Sequence, residues 1–373
     1  MTRPPRHVLD VLEVLTASGY NAVLVGGCVR DILLGRRPAD WDAASSAAPE
    51  AVMGLFPRVL PTGIRHGTVT VMSRGRGVEV TAFRADGAYS DHRRPDSVRF
   101  TASLEEDLSR RDFTINAMAM GADGRLWDPF GGRADLESRI IRCVGDPETR
   151  FSEDALRMLR AYRFSAQLGF EIERDTRAAI KKKAFLATGM SPERVRDELK
   201  KTLFSPRPDV IGEMIAAGLL DAWLTRGSHD FTPLRSLPQY SRLAHLCQTL
   251  VQSGCITSAR AFLAALRFDG RTVDTAAAAA AILQSGSRDW KRILKDHGAD
   301  AALAAYPRNR RLRRVLKSGE CWRLADLAIN GSDLISLGYS GREVGMALDK
   351  LLDHVIDCPS DNNNEILRGL AQR

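Results

Sequence analysis

No stretch of this 373-residue chain approaches the roughly 20 consecutive apolar residues of a bilayer-spanning helix, so a helical membrane protein is excluded. Cysteine is sparse and scattered, at positions 28, 143, 247, 255, 321 and 358. None falls in a C-x-x-C spacing, which argues against a zinc site and against a disulfide framework. The opening MTRPPRHVLDVLEVL carries early positive charge but then reads as an amphipathic helix with Asp10 and Glu13, not as a signal peptide. These absences favour a reducing cytoplasm. No repeat period is visible, which removes the solenoid architectures. The C-terminal half also lacks a histidine–carboxylate cluster. His229-Asp230 is its one His-Asp dipeptide and reads as surface loop, while His245, His297 and His354 stand apart. A metal-dependent phosphohydrolase therefore has no site there. Acidic charge is in deficit, 46 Asp and Glu against 54 Lys and Arg, and the net +8 favours a polyanionic partner.

A chain of this length outgrows one ordinary core, so two or more domains are expected. The stretch around which the rest is organised is YNAVLVGGCVRDILLGRRPADWDAAS, residues 20–45. The apolar run Ala22–Val25 reads as a buried strand that breaks into Gly26-Gly27. Paired glycines let a backbone approach a phosphate, and a following helix offers free N–H groups to an anion. Arg30 and Asp31 ride on that short helix. Asp40 and Asp42 then flank Trp41, and in a strand residues i and i+2 share one side. Two carboxylates on one face repel unless a cation lies between them, and oxygen ligands in this number suit Mg²⁺. Glu79, in GVEVTAF, alternates with Val78 and Val80 as on a half-exposed strand, and the preceding D-x-D makes it a candidate third carboxylate.

Strands are also predicted at 69–72, 78–83, 126–130 and 140–144, and helices near 5–18 and 49–56. Residues 84–100, RADGAYSDHRRPDSVRF, read as a long functional loop. Ser103 and Glu106 match a capping box, and Ser191 matches an N-cap before Pro192. Past about residue 146 no convincing strand remains and helical periodicity dominates. EDALRMLRAYRFSAQL, 153–168, reads as one helix on which Asp154 and Arg157, three apart, project side by side. Arg160 and Arg163 extend that spacing but turn progressively round the helix, away from Leu156, Leu159 and Phe164.

Together LVGGCVRDILLG…DWD, VEVTAFR, RRDFTINA, DPFGG, EDALRMLRAYRF and ERVRDELKK resemble, in order, the family of class II tRNA nucleotidyltransferases and bacterial poly(A) polymerases. The resemblance spans about residues 20–205 and is nearest to the CCA-adding branch. DLISLGYSGREVGMALDKLL, 333–352, is weakly similar to that branch's C-terminal helices. It implies an α+β fold: a nucleotidyltransferase head with a mixed β-sheet (1–146), a helical neck carrying the base template (147–205), and a helical body and tail that bind tRNA (206–373). It implies that Asp40 and Asp42 hold Mg²⁺, with Glu79 as third acid. Gly26, Gly27 and Arg30 would meet the triphosphate, Arg111 the phosphates and Asp112 the ribose. Asp154 and Arg157 would read the base edge, and Arg160 and Arg163 would hold the nucleotide. The substrates implied are CTP, ATP and tRNA lacking all or part of its 3′ CCA. A-only or CC-only addition, poly(A) synthesis and a non-catalytic RNA-binding role are the alternatives, the last opposed by the intact Asp40, Asp42 and Arg111. The loop DGAYSDHRRP is complete, whereas family members restricted to CC addition are typically altered there.

Overall fold

The computed structural model describes residues 3–64, 67–87, 98–227 and 229–372. The chain divides into two units, Met1–Ala222 and Trp223–Arg373. The strands of the first are β1 (Ala22–Val25), β2 (Asp42–Ser45), β3 (Val59–Gly63), β4 (Thr68–Ser73), β5 (Arg76–Ala82), β6 (Arg84–Asp86), β7 (Val98–Phe100), β8 (Ala119–Met120), β9 (Leu126–Trp127), β10 (Ile140–Ile141) and β11 (Glu171–Ile172). Its helices are α1 (Arg6–Ala17), α2 (Gly27–Leu33), α3 (Pro49–Leu55), α4 (Leu104–Ser109), α5 (Gly132–Ser138), α6 (Pro147–Glu153), α7 (Leu156–Leu168), α8 (Arg174–Lys183), α9 (Pro192–Leu203) and α10 (Ile211–Ala216).

Seven strands form one mixed sheet in the order β3-β4-β5-β2-β1-β8-β9. Only β2 against β5 is parallel; the other pairs are antiparallel. α1 packs on β1, β4 and β5 through Val8, Val11, Leu12 and Leu15, all fully buried. Val23, Val25, Ala44, Phe83, Leu108 and Ala119 form a second apolar layer that Trp127 and Phe130 edge. This is the expected α+β head.

Several elements depart from the sequence reading. Asp42 opens β2, but Asp40 lies in the bend before it, so the two aspartates do not share a strand. β3 carries no sequence signal, because its residues are mostly exposed and show no apolar alternation. The ends of the 84–100 stretch form an antiparallel ribbon, Arg84↔Phe100 and Ala85↔Arg99, not loop; residues 88–97 lie outside the described residues. A strand survives beyond residue 146, since β11 pairs in parallel with β10, but two residues are too few for a period to register. Ser103 caps α4 by accepting from the Glu106 N–H at 3.3 Å. Ser191 makes no side-chain cap, and Pro192 at the first turn starts α9 instead.

The second unit is helical: α11 (Gln239–Gln252), α12 (Ala259–Ala265), α13 (Gly270–Ser285), α14 (Trp290–Ala305), α15 (Arg310–Lys317), α16 (Gly331–Ser336), α17 (Arg342–Asp357) and α18 (Asn364–Ala371). α14 bends at Gly298, whose φ of 77° takes it out of the helix. One apolar cluster gathers α11, α13, α14 and α15 around Ala279, Leu294 and Leu312; another gathers α16–α18 around Leu334 and Val355. Lys295 ties α14 to α17 through Asp349 and Asp353. No helix among the described residues is long and apolar enough to cross a membrane.

The turn DPFGG shows how tightly the head is built. A Cβ on Gly132 would stand 2.2 Å from the Thr114 carbonyl oxygen, which is backbone and cannot swing away. Gly132→Ala is therefore expected to destabilise the protein by about 1–3 kcal/mol, as overpacking does, read as a lowered urea midpoint with unchanged m-value.

Candidate active site

The parallel pairing of β2 and β5 sets Asp42 opposite Glu79, with Ala43 opposite Val80. Val78, Val80 and Ala82 are buried while Glu79 and Asp42 reach solvent, so the two carboxylates emerge from one sheet face. Exposed Asp40 lies just upstream. Partial burial, then the charge of Glu79 and, more weakly, of Asp40 raise the Asp42 pKa, with Arg111 acting against them. Three like charges thus crowd one edge. Beneath it Cys28 donates its thiol to the Val25 carbonyl at 3.2 Å, and burial pushes that thiol up to about 11.

Gly26 precedes α2 with a φ of 72°, in the left-handed region that favours glycine. A Cβ there would meet Nη1 of Arg111 at 3.2 Å, so Arg111 lies against the glycine turn. Asp107, fully buried on α4, holds Arg111 at 2.9 Å and Arg110 at 2.7 Å, and Nε of Arg111 is buried without a hydrogen-bond partner among the described residues. Arg30, from α2, donates to Asn116 at 2.8 Å and to Asp31 at 2.8 Å. Asn116 in turn donates to Asp112 at 3.1 Å.

Asp112 is 8% exposed and faces Arg160, whose Nε donates at 2.7 Å. Burial alone would raise its pKa. The Arg160 charge, hydrogen bonds from Asn116 and Arg160, and the Arg157 charge outweigh that and bring it down to about 2. Arg163 pairs with Glu198 across α7 and α9. The guanidinium carbons of Arg30, Arg160 and Arg163 lie 5.3, 5.4 and 3.9 Å from the Phe164 ring centroid, and Phe113 meets that ring edge-on. Phe164 is thus the hub on which the arginines gather, not a residue packing away from them.

EDALR does not lie on one helix. α6 ends at Glu153, Asp154 is extended at φ −140°, and α7 begins at Leu156. One Asp154 oxygen accepts the Leu156 N–H at 3.1 Å and the other accepts Arg194 at 2.8 Å. Arg157, 8% exposed, pairs with Glu153 at 2.6 Å and donates to the Arg110 carbonyl at 3.0 Å. The two are not salt-bridged to each other, as an ordinary surface pair would be. An aspartate that accepts the N–H two residues on favours a helix start, and this breaks the expected continuous helix.

Sequence reasoning missed the supports: Asp107, Asn116, Glu153, Glu198, Arg194 and the central Phe164. Asp107–Arg111 at i,i+4 carried a signal; Arg194 to Asp154, 40 residues apart, carried none. His229 is not free surface: its Nε2 lies 3.0 Å from the Cys255 sulfur. His354, read as standing apart, brings a ligand atom within 4.8 Å of one each from Cys358 and Asp361. His354 already pairs with Asp361 at 2.7 Å, which accounts for that grouping without an ion.

Comparison with known proteins identifies the chain's relatives. Residues 22–142 match the family described as Poly A polymerase head domain, and 169–226 that described as Probable RNA and SrmB- binding site of polymerase A. The CCA-adding enzyme of Geobacillus kaustophilus (strain HTA426) is 39% identical, over 95% of this chain and 92% of its own. The chain belongs to the CCA-adding enzyme family. The CCA-adding enzyme of Geobacillus stearothermophilus is also 39% identical, over 98% of this chain and 96% of its own. The crystal structure of the Bacillus stearothermophilus CCA-adding enzyme in complex with CTP superposes with a TM-score of 0.82 at 35% identity, covering 100% of this chain and 97% of that one. A tRNA nucleotidyltransferase complexed with a primer tRNA and an incoming ATP analog, at 24% identity and TM-score 0.63, shares the fold; it covers 82% of this chain and 96% of that one. Nucleotidyltransferases of this family use divalent metals.

Asp112 gives the site an acid signature. A carboxylate held at about 2 when folded, against about 3.9 unfolded, adds stability that is fully present above pH ~4 and lost as pH falls through 2. Asp112→Asn is expected to lower stability at pH 7 by roughly 2 kcal/mol and to flatten the fall in stability between pH 4 and 2. Acid titration of urea midpoints checks both.

Proposed function

We propose that this protein rebuilds the 3′-terminal CCA of tRNA from CTP and ATP, in the cytoplasm, by Mg²⁺-dependent nucleotidyl transfer. The observation that carries the reading is the Asp42–Glu79 register beside Asp40, within reach of the Arg111 charge that lies against the Gly26 turn. The full-length likeness to an enzyme solved with CTP supports the substrate class.

The donor set fits a hard cation. Asp42 has a raised pKa because burial and neighbouring carboxylates disfavour its charge, with the Arg111 charge acting against them, and oxygen ligands suit Mg²⁺. Asp40 and Asp42 would hold the metal, with Glu79 adding negative charge beside them. A metal held there would supply charge to activate the tRNA 3′-hydroxyl and to offset the departing pyrophosphate.

The remaining work falls to the protein's own groups. Gly26 and Gly27 let the triphosphate approach the backbone, and Arg30 and Arg111 supply positive charge there. The partnerless Nε of Arg111 is a donor that a phosphate oxygen would satisfy. Asp112 positions Arg160 and stays ionised at neutral pH; its oxygens already accept from the Phe113 N–H, Asn116 and Arg160, so a ribose hydroxyl would displace one of these donors. Arg160 and Arg163, stacked on Phe164, hold the nucleotide. Positioning of this kind supplies much of the rate in phosphoryl chemistry.

Asp154 and Arg157 read the base. Each Asp154 oxygen has one partner and a further lone pair, so it can accept the amino N–H of cytosine or adenine. Arg157 donates to the ring nitrogen. Uracil and guanine reverse these polarities and are rejected by unpaired buried groups. The chain divides functionally into head (1–146), neck (147–205), and body with tail (206–373).

The deciding assay offers tRNA lacking CCA, CC-ended tRNA and unrelated RNA with each labelled nucleotide. The wild type is expected to add C, C and A to tRNA alone; A-only, CC-only or untemplated poly(A) products would reassign it within the family. Asp40→Ala and Asp42→Ala are expected to lose several orders of magnitude in incorporation, with melting unchanged. Asp154→Ala and Arg157→Ala are expected to lose CTP and ATP use and gain relative UTP or GTP use. Unaltered selectivity in both would remove the template assignment and leave the metal site standing.

A further inference from the structure

Between Asp300 and Glu320 the sequence holds no acidic residue and six basic ones: Arg308, Arg310, Arg311, Arg313, Arg314 and Lys317. Five of them lie on α15, where Leu312 is fully buried and Val315 and Leu316 pack on the same apolar cluster. At 3.6 residues per turn, Arg313, Lys317, Arg310 and Arg314 fall within an arc of about 100°, with Arg311 at its margin and the three apolar residues opposite. One face of the helix is core. The other is exposed and uniformly positive.

That face is unneutralised. Elsewhere in this unit Arg260, Arg271, Arg292, Arg323 and Arg368 each hold a carboxylate. Among the described residues the side chains of Arg310, Arg311, Arg314 and Lys317 make no ion pair and no hydrogen bond, while Arg313 is turned back onto the Pro307 carbonyl. The placement also works against the helix. Arg310 and Arg311 occupy the first turn, where the helix dipole disfavours cations, and no acidic residue offsets them. The pairs 310/314, 311/314 and 314/317 are like charges at helical contact spacing, each unfavourable by a few tenths of a kcal/mol. A polyanion lying along the face relieves both penalties.

We propose that the Arg310–Arg311–Arg314–Lys317 face of α15 is a docking surface for the phosphate backbone of the tRNA substrate. The proposal builds on the reading of tRNA as substrate and adds where the second unit grips it. The surface recognises backbone charge, with no base preference. A lipid surface is a poorer occupant, because a membrane-seeking basic helix needs a free apolar face and this one spends its own on the core.

The test compares tRNA affinity of the full chain across salt concentrations. The quadruple variant Arg310→Gln, Arg311→Gln, Arg314→Gln, Lys317→Gln keeps good helix formers and removes the charge. It is expected to weaken tRNA binding about 10-fold or more and to flatten the log Kd against log salt slope by about 2 or more. CTP incorporation at saturating tRNA should remain near wild type and the far-UV circular dichroism unchanged. A matched pair controls for net charge: Arg310→Gln/Arg314→Gln is expected to weaken binding several-fold, and Arg260→Gln/Arg271→Gln, which removes arginines already paired, less than twofold. A quadruple variant that binds tRNA with wild-type affinity and slope overturns the proposal, whatever acidic protein it binds instead. So does a control pair that weakens binding as much as the α15 pair. Failure of the wild type to add C or A would sink the proposed activity but leave this comparison of affinities intact.

Discussion

The register of β2 against β5 is the constraint on which the head depends. A one-residue slip would turn Glu79 into the core and Val80 into solvent, and it would dissolve the carboxylate edge with it. Parallel pairing next to otherwise antiparallel strands is what allows two segments 37 positions apart to present acids side by side. The buried valines of β5 and the alanines of β2 lock that register, so core packing and the carboxylate edge are one structural fact.

Opposite the acidic edge, the structure must gather arginines that repel one another. It does so with an aromatic ring and distributed carboxylates. Phe164 offers its face to Arg163, Arg160 and Arg30, while Asp112, Glu198 and Asp31 each hold one of them. Asp107 does the same for Arg110 and Arg111. The positive charge of these arginines is thereby preorganised, with its partners fixed in the folded chain. Asp112 shows the balance: a desolvated carboxylate whose pKa nonetheless falls to about 2, because its partners outweigh its burial. α15 lacks such compensation, and that contrast singles it out in a protein where many arginines are paired.

Much of this was legible in the chain. The Ala22–Val25 strand, the Gly-Gly turn, the alternation around Glu79 and the helices α1 and α3 all follow from local pattern, because each is set by neighbours within a few positions. The order of six motifs pointed to the family on its own. Local pattern misplaced Asp40 in the strand and ran a helix through Asp154. At Asp154 the side chain competes for the Leu156 N–H, a contact that periodicity does not register, and a two-residue strand such as β11 is shorter than any period.

The sequence by itself determined the residue types at the site, the mixed head followed by helices, and the excess of positive charge. Those are properties of composition and short-range spacing. Only the tertiary structure decided which charges meet: Asp154 with Arg194 rather than Arg157, Arg160 with Asp112, Arg163 with Glu198, and three arginines on Phe164. Ion pairs are nearly indifferent to sequence separation, since any carboxylate within reach serves any guanidinium. The chain path that packs α7 against α9 selects among them, and that selection is a property of the folded core.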